Sequence, residues 1–237
     1  MTRIGNDVVD LREPRTARPT VDDRFLERVC ARDEAEAIHG AESPVRALWI
    51  HWAAKEAAYK VVTKLLGSPP VFEHAAFRLR LGPGSGYAAD QVRGRVGYRG
   101  VDLPIRIENA LDRIHAVAWH RGPSEPDNPF HQRVRLFPEL CHPNRRDWKE
   151  GLRDHFSERE WKAVHGPASG LVRLRARADL ARLLEVAESE LEIVCEDGPP
   201  GRMPPRVLLG GEPGPTDLSL SHHGRFLAWA FTLPPEE

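Results

Sequence analysis

The stretch from residue 44 to residue 66, PVRALWIHWAAKEAAYKVVTKLL, constrains the fold most strongly. Its apolar residues recur at helical spacing, Pro44 suits the first turn of a helix, and Gly67 ends the pattern. Tryptophans and alanines flank Glu56 and Lys60, so much of this helix must be packed. The two charged residues lie four apart. One interpretation is a surface ion pair worth about 0.3–0.5 kcal/mol. The other is that the Glu56 carboxylate lies at the edge of a packed helix, where it needs a cation.

The segments around this helix predict a strand, then helices, then further strands. Residues 4–11 read as a short valine-bearing strand, and residues 21–38 read as an amphipathic helix. Residues 71–82, 91–99 and 103–120 alternate apolar and polar side chains, as hairpin strands do.

A second cycle of elements follows. Residues 121–147 contain five prolines and predict a connection that crosses the surface. Residues 147–165 and 170–187 then predict helices, and residues 205–210 and 216–233 predict strands.

The two halves end alike, with DRIHAVAW at 112–119 and RFLAWA at 225–230. This echo predicts an α+β fold in which two similar subdomains, each a small antiparallel sheet packed with helices, form a pseudo-dimer. A coincidence of two buried strands explains the echo equally well. The predicted division is 1–122 for the first half, 123–146 for a Pro-rich connection and 147–237 for the second half.

Composition narrows the class of protein. The chain has 237 residues, 34 basic and 35 acidic, so a net charge of -1 gives no global attraction to nucleic acid. The arginines at 173–182 have no interleaved aromatic residues, so a nucleic-acid binder is the weakest hypothesis. No apolar run of membrane-spanning length and no secretory h-region is present, and the three cysteines lie far apart. We therefore expect a cytoplasmic protein that binds neither membrane nor nucleic acid.

Two places in the sequence could hold charged ligands. Asp7 lies in an apolar strand. It is either a hydrogen-bonded turn residue or a metal ligand that shares a magnesium ion with Glu56. Ser221 and His222 precede a turn, where they serve turn chemistry or bind phosphate. An acyl-hydrolase dyad is disfavoured because no Gly-x-Ser-x-Gly motif occurs, and adjacent His222 and His223 point to opposite faces of a strand, which disfavours zinc.

These motifs together resemble the 4′-phosphopantetheinyl transferase superfamily. Residues 5–11, GNDVVDL, resemble the Gly-x-Asp-Ile/Val-Val-Glu/Asp strand of that superfamily, and residues 24–34 resemble the next helix of holo-acyl-carrier-protein synthases. Residues 52–60, WAAKEAAYK, match its (Trp/Phe)-x-x-Lys-Glu-(Ala/Ser)-x-x-Lys signature. The weaker second block, 156–231, resembles the N-terminal half of the longer two-repeat transferases, through Gly201–Pro204 and SLSHHG at its strand end.

Two departures qualify the resemblance. The half with the Asp and Lys-Glu motifs comes first here, whereas the longer members have the Ser-His half first. Val9 stands where those members have a second strand carboxylate, as in the short trimeric synthases. Because the family's site lies between the halves, a pseudo-dimer keeps the same site after this permutation.

The resemblance implies transfer of 4′-phosphopantetheine from coenzyme A to a serine of an apo acyl or peptidyl carrier protein. Magnesium would bind Asp7 and Glu56, with Glu56 and Lys60 as catalytic residues. The implied coenzyme A contacts are Lys55, Lys60, Arg175, Arg202, Ser221 and His222. A basic and apolar surface near Arg24 and Arg28 would bind the carrier, and the chain would act as a monomer. The alternative is a non-catalytic pseudo-enzyme that binds carrier protein or coenzyme A.

Overall fold

The computed structural model describes residues 1–122, 130–137, 148–198 and 201–233, with only the backbone described at 201 and 202. The first half contains five strands, three α-helices and one short 3-10 helix at His74–Ala76. Its elements are β1 (Arg3–Asp10), α1 (Asp23–Val29), α2 (Arg32–His39), α3 (Pro44–Leu66), β2 (Arg78–Leu81), β3 (Gln91–Tyr98), β4 (Val101–Asn109) and β5 (Arg113–His120).

The second half repeats this order of elements. Its elements are β6 (Phe130–Leu136), α4 (Trp148–Arg153), α5 (Glu158–Trp161), α6 (Pro167–Leu184), β7 (Leu191–Val194), β8 (Asp197–Gly198), β9 (Gly201–Arg202), β10 (Arg206–Leu209), β11 (Glu212–His223) and β12 (Phe226–Thr232). A 3-10 turn at Glu188–Glu190 precedes β7.

Both halves build the same antiparallel sheet. The strand order is β1-β5-β4-β3-β2 in one and β6-β12-β11-β10-β7 in the other, with β8 and β9 as a separate hairpin. Each half thus places its first strand at one edge and its last strand beside it, and packs its long helix, α3 or α6, against the sheet. The predicted α+β pseudo-dimer is confirmed.

The repeat begins earlier in the chain than the sequence indicates. Residues 123–129 and 138–147 of the predicted connection lie outside the described residues, but β6 lies between them and pairs with β12 from Phe130 to Leu136. The connection predicted over 123–146 therefore contains β6, which has the same edge position in its sheet as β1 has in the first sheet. Prolines on both sides of this seven-residue strand hid its short pattern.

The echo between the strand sequences is wrong at the level of residues. The echo aligns Ala116 with Ala228, but Ala116 packs toward α3 in the core of its own half, whereas Ala228 packs on Val8 of the other half. Successive side chains of a strand face opposite ways, so an alignment shifted by one residue exchanges the two faces. The two halves therefore share the order and pairing of their strands, and the similar sequences at their ends do not correspond residue by residue.

The predicted helix over 21–38 is two helices that meet at Cys30. Cys30 and Ala31 have extended backbone, and the Glu34 carboxylate accepts the N–H of Ala31 at 2.9 Å. This break turns the Glu34 side chain inward, to Lys55 of α3. The helix predicted at 44–66 is confirmed with its bounds, and Gly67 ends it in the left-handed conformation.

A close approach between β1 and α3 fixes the position of both motifs. A Cβ atom at Gly5 would lie 2.1 Å from the carbonyl oxygen of Ala57, so only glycine allows this contact. The small residues of α3, Ala53, Ala54 and Ala57, are fully buried against the sheet. Asp7, two residues beyond Gly5, is thereby held beside the same helix.

Side chains of β11 cover the outer edge of β1, and we call this contact the inter-half seam. Among the described strands, β1 pairs with β5 alone, so alternate N–H groups on its other edge need acceptors. Asp217, Ser219, Ser221 and His223 accept them from Ile4, Asn6, Val8 and Asp10 at 2.7, 2.8, 3.2 and 3.0 Å. Four alternate side chains of β11, in the second half, therefore accept the N–H groups on the outer edge of β1, in the first half.

Two lysines of α3 reinforce the seam from one side. Lys64 is buried and donates to the carbonyl oxygens of Ile4 and Leu218, both at 2.7 Å, and to the Asp217 carboxylate at 2.8 Å. Lys60, one turn earlier, donates to the carbonyl oxygens of Asn6 and Leu220. Each ammonium group therefore joins β1 to β11.

Within the described residues, no helix is long and apolar enough to cross a membrane.

Replacing Asp217 by Ala should destabilise the protein strongly. The change leaves the Lys64 ammonium buried without its carboxylate, a loss of about 3–5 kcal/mol in the free energy of unfolding. Urea unfolding followed by circular dichroism measures it. The control is Asp102→Ala, which removes a half-exposed carboxylate paired with Arg80 and Arg95 and should cost about 1 kcal/mol or less. Equal losses in the two variants would contradict the seam as a main source of stability.

Candidate functional site

A cleft of about 640 Å³ lies where β1, α1, α3 and the end of β11 meet. One wall carries polar groups, and the opposite wall carries aromatic and basic side chains. The polar wall includes Asp7, Glu56, His222 and His223; the other includes Arg15, Arg18, Phe25, Arg28, Trp49 and Trp52. Two predicted metal ligands and one predicted phosphate contact thus share one cleft, although the second half supplies His222.

Asp7 is the most buried carboxylate of the cleft. Its Oδ1 atom accepts from the Ser221 hydroxyl at 2.8 Å and from Lys60 Nζ at 3.2 Å. Burial raises the pKa of Asp7, and the Glu56 carboxylate raises it further, whereas the Lys60 charge lowers it. Its Oδ2 atom takes no hydrogen bond from the described residues, so it is free to bind a cation in the cleft.

Glu56 lies on α3 one turn before Lys60. Its Oε1 atom is 3.5 Å from Nε2 of His74, and both side chains are about one-fifth exposed. His74 stacks on Trp52 with ring centroids 4.6 Å apart. The Glu56 carboxylate is therefore reachable from the cleft while the imidazole limits where it can move.

Lys60 acts through Asp7 in this structure. Its three donor positions are directed to the Asn6 carbonyl, Asp7 Oδ1 and the Leu220 carbonyl at 2.6, 3.2 and 3.4 Å. Contact with a ligand phosphate would require Lys60 to release one of them. In this structure Lys60 holds Asp7 in place, and its catalytic role stays a prediction.

His222 lies near the end of β11 and is exposed. Partial desolvation of its ring and the nearby charge of Lys60 both lower its pKa, so the imidazole is neutral near pH 7. A neutral imidazole has one N–H to donate, so His222 could hold a phosphate oxygen by a hydrogen bond but without a positive charge. Ser221 donates its hydroxyl hydrogen to Asp7.

His223 and Arg225 close the end of the seam beside the cleft. His223 accepts the N–H of Asp10 at its Nδ1 atom, so a neutral ring carries its hydrogen on Nε2. Arg225 holds both oxygens of the Asp10 carboxylate, at 2.6 and 2.8 Å. A Cβ atom at Gly224 would lie 2.5 Å from Asp10 Oδ2, so the tight turn requires glycine.

The structure does not bring Lys55, a predicted coenzyme A contact, into the lining of the cleft. Lys55 is fully buried, and its Nζ atom donates to the carbonyl oxygens of Val29 and His74 and to Glu34 Oε2 at 2.6 Å. All three donors of the ammonium group are used. The residue ties α3 to the break between α1 and α2.

The same buried cluster is poorly suited to a metal ion. Ligand atoms of Cys30, Glu34 and His51 lie within 4.8 Å of one another. The Lys55 ammonium already supplies the positive charge, and burial raises the pKa of Cys30 to about 11, so its thiol stays protonated. The hydrogen bonds and the charge of Lys55 lower the pKa of Glu34 to about 2 despite burial. Glu34 is therefore an internal counter-ion.

A further predicted coenzyme contact, Arg175, is not brought into the lining of the cleft. Arg175 lines a different groove, between α6 and β6, with its guanidinium 5.6 Å from the centroid of the Phe137 ring. The side chain of Arg202 lies outside the described residues; its backbone pairs with Asp197 in the β8–β9 hairpin.

The sequence analysis missed the seam, although it named Ser221 as a phosphate contact. Asp217, Ser219, Ser221 and His223 stand at alternate positions, which puts them on one face of a strand, and this spacing could have predicted the seam. Lys64 follows Lys60 by four residues, on the same face of α3. The aromatic wall of the cleft carried no comparable signal, because Trp49 and Trp52 also fit a core pattern.

Fold and cleft define a class: an α+β pseudo-dimer with a carboxylate-bearing cleft between its two units. Residues 3–96 match the family model described as the 4′-phosphopantetheinyl transferase superfamily. This match confirms the resemblance for the part of the chain that carries Asp7 and Glu56, and indicates a transferase of the phosphopantetheinyl transferase kind. The match does not extend to β11. Among curated proteins, none matches the chain.

Replacing Lys55 by Met should cost about 3–5 kcal/mol, because it leaves the Glu34 carboxylate buried without its cation. The folded-state pKa of Glu34 lies below its ordinary value, so its contribution to stability is present above about pH 4.5 and is lost as the pH falls toward 2. In the variant this loss should begin at higher pH. Urea unfolding at a series of pH values measures both effects, with the exposed-pair variant Arg32→Ala as control.

An NMR titration of the histidines should show His222 changing protonation below the ordinary value of about 6.5. Because the Lys60 charge opposes protonation, Lys60→Met should move that midpoint upward. Lys149→Met, on exposed α4, should leave it unchanged. A midpoint that Lys60→Met does not move would show that the Lys60 charge does not act on the ring.

Proposed function

We propose that this protein transfers 4′-phosphopantetheine from coenzyme A to a serine hydroxyl of an apo acyl or peptidyl carrier protein, with magnesium as the metal. The observation that carries the proposal is the meeting of Asp7 and Glu56 with Ser221 and His222 at one cleft between the halves. The family match over residues 3–96 supports the class of reaction. One chain supplies both walls of the cleft, so we propose a monomer.

The residues of the cleft fit a divalent cation. Two carboxylates face the same space, and each would gain from a positive charge, since burial and Glu56 together raise the pKa of Asp7. Asp7 and Glu56 would hold the ion through oxygen atoms, with remaining positions for water and phosphate oxygens, as magnesium prefers. When bound, the metal supplies positive charge that offsets the charge developing on the pyrophosphate.

The chain's own residues hold the reactants and move the proton. Glu56 accepts the proton of the carrier serine, directly or through one water, because its carboxylate is accessible from the cleft. Lys60 and Ser221 hold the Oδ1 atom of Asp7 and so fix the direction of its second oxygen. His222 donates a hydrogen bond to a coenzyme phosphate, and Arg202 is proposed as a second phosphate contact.

The second wall of the cleft suits the other parts of the substrates. Phe25 stacks on Trp52 with ring centroids 5.4 Å apart, and the Arg28 guanidinium lies 5.8 Å from the Phe25 centroid. Arg15 and Arg18 line the same side. A surface with aromatic rings and guanidinium groups together can bind an acidic, partly apolar partner, so we place the carrier protein at this wall, near Arg24 and Arg28.

Asp7→Asn and Glu56→Gln should each reduce transfer at least about a hundredfold, the scale expected when a general base or metal ligand is lost. The assay incubates the protein with coenzyme A, magnesium and apo carrier proteins of fatty-acid, polyketide and peptide assembly, and weighs the carriers by mass spectrometry. Circular dichroism checks the fold of each variant.

Glu36→Gln is the matched control, because Glu36 is an exposed carboxylate paired only with Arg32 on α2. It should transfer at the rate of the unaltered protein. Near-normal transfer by Asp7→Asn or Glu56→Gln at millimolar magnesium would refute the metal pair. If the unaltered protein binds coenzyme A but modifies no carrier, the non-catalytic pseudo-enzyme is the correct assignment.

A further inference from the structure

The second half has a groove of about 460 Å³ between β6 and α6, which we call the arginine groove. Four arginines, one aspartate and two aromatic residues are among the residues that line it: Arg133, Arg135, Arg175, Arg182, Asp179, Phe137 and Trp229. None of these residues lines the cleft that holds Asp7 and Glu56. The groove is thus a separate feature of the surface.

The arginine groove occupies the position in the second half that the β1–α3 contact occupies in the first. β6 corresponds to β1 and α6 to α3 in the repeated topology. In the first half, a helix cation, Lys60, lies 3.2 Å from a strand carboxylate, Asp7. In the second half, a helix carboxylate, Asp179, lies 3.1 Å from a strand cation, Arg133. The charges are inverted, so this position favours an anion where the first half favours a cation.

The groove carries more positive charge than its own carboxylate can offset. Asp179 is largely buried and is shared by Arg133 and Arg182, and it also accepts from His131 and from the Trp229 indole. Arg135 and Arg175 are exposed, and neither has a carboxylate partner among the described residues. Two guanidinium groups therefore remain for an outside ligand.

These two guanidinium groups lie at the same end of the groove. Arg135 and Phe137 are two residues apart, at the end of the strand, which places them about 7 Å apart on one face. Arg175 extends over the Phe137 ring from α6, 5.6 Å from its centroid. The stacked ring restricts the rotamers of Arg175 and so reduces the entropy lost when the side chain binds.

We propose that the arginine groove binds a phosphate group carrying two or more negative charges, without a metal ion. Guanidinium groups pair with phosphate in two parallel hydrogen bonds, and a dianion neutralises Arg135 and Arg175 together, whereas a single carboxylate neutralises one. The ligand class is therefore a phosphate monoester or a diphosphate. The proposal is independent of the transferase reaction, since it uses neither Asp7 nor Glu56.

The test is isothermal titration of the full-length protein with inorganic pyrophosphate in the presence of a metal chelator. Arg135→Gln with Arg175→Gln should weaken binding about tenfold or more, as expected when charge-assisted hydrogen bonds are lost. Arg93→Gln, an exposed arginine on β3, should leave binding unchanged. Arg18→Gln with Arg28→Gln, on the wall of the other cleft, should also leave it unchanged.

Three results would overturn the proposal. They are no pyrophosphate binding by the unaltered protein, equal binding by the Arg135 and Arg175 double variant, and loss of binding only in the Arg18 and Arg28 double variant. A glutamate-rich peptide that binds the groove while pyrophosphate does not would show that carboxylates, and a protein partner, are the ligand. Circular dichroism confirms that each variant is folded.

Discussion

The inter-half seam is the interaction on which the rest of the structure depends. An edge strand leaves half of its N–H groups unpaired, and a second strand usually satisfies them. Here side chains of β11 do so, and the seam therefore needs oxygen and imidazole acceptors at every second position. Because acceptors of this kind are polar, the junction between the two subdomains carries a row of polar groups, and the last of them, His223, lines the cleft.

The site follows from this arrangement. Ser221 accepts the N–H of Val8 and donates to Asp7, so one hydroxyl both joins the halves and orients a carboxylate. Lys60 does the same with an ammonium group. Ser221 and Lys60 thus contribute both to the stability of the fold and to the geometry of the site. A substitution of either residue will change both properties. Lys64 and Asp217 are better suited to separate the two effects, because they lie in the seam and outside the cleft lining.

The sequence predicted what local patterns determine. α3 has a proline at its start, a glycine at its end and helical spacing between them, and Asp7 and Glu56 lie on elements with clear patterns, so their meeting could be expected. The burial of Lys55 could not be predicted, because it depends on a helix break at Cys30 that no periodicity shows. β6 was missed because a strand of seven residues between prolines gives too short a pattern, although the sheet needs it as an edge.

The two sides of the cleft differ in how firmly they are held. The polar wall is built from β1, α3 and β11, which the buried ammonium of Lys64 fastens at three points. Part of the remaining lining comes from residues 12–22, which contain neither helix nor strand and include Arg15 and Arg18. In the proposed reaction, β1 and α3 set the distance between the two carboxylates, whereas some of the basic groups that would meet a carrier protein lie on a loop. The reacting geometry and the recognition of the partner would thus depend on different parts of one cavity lining.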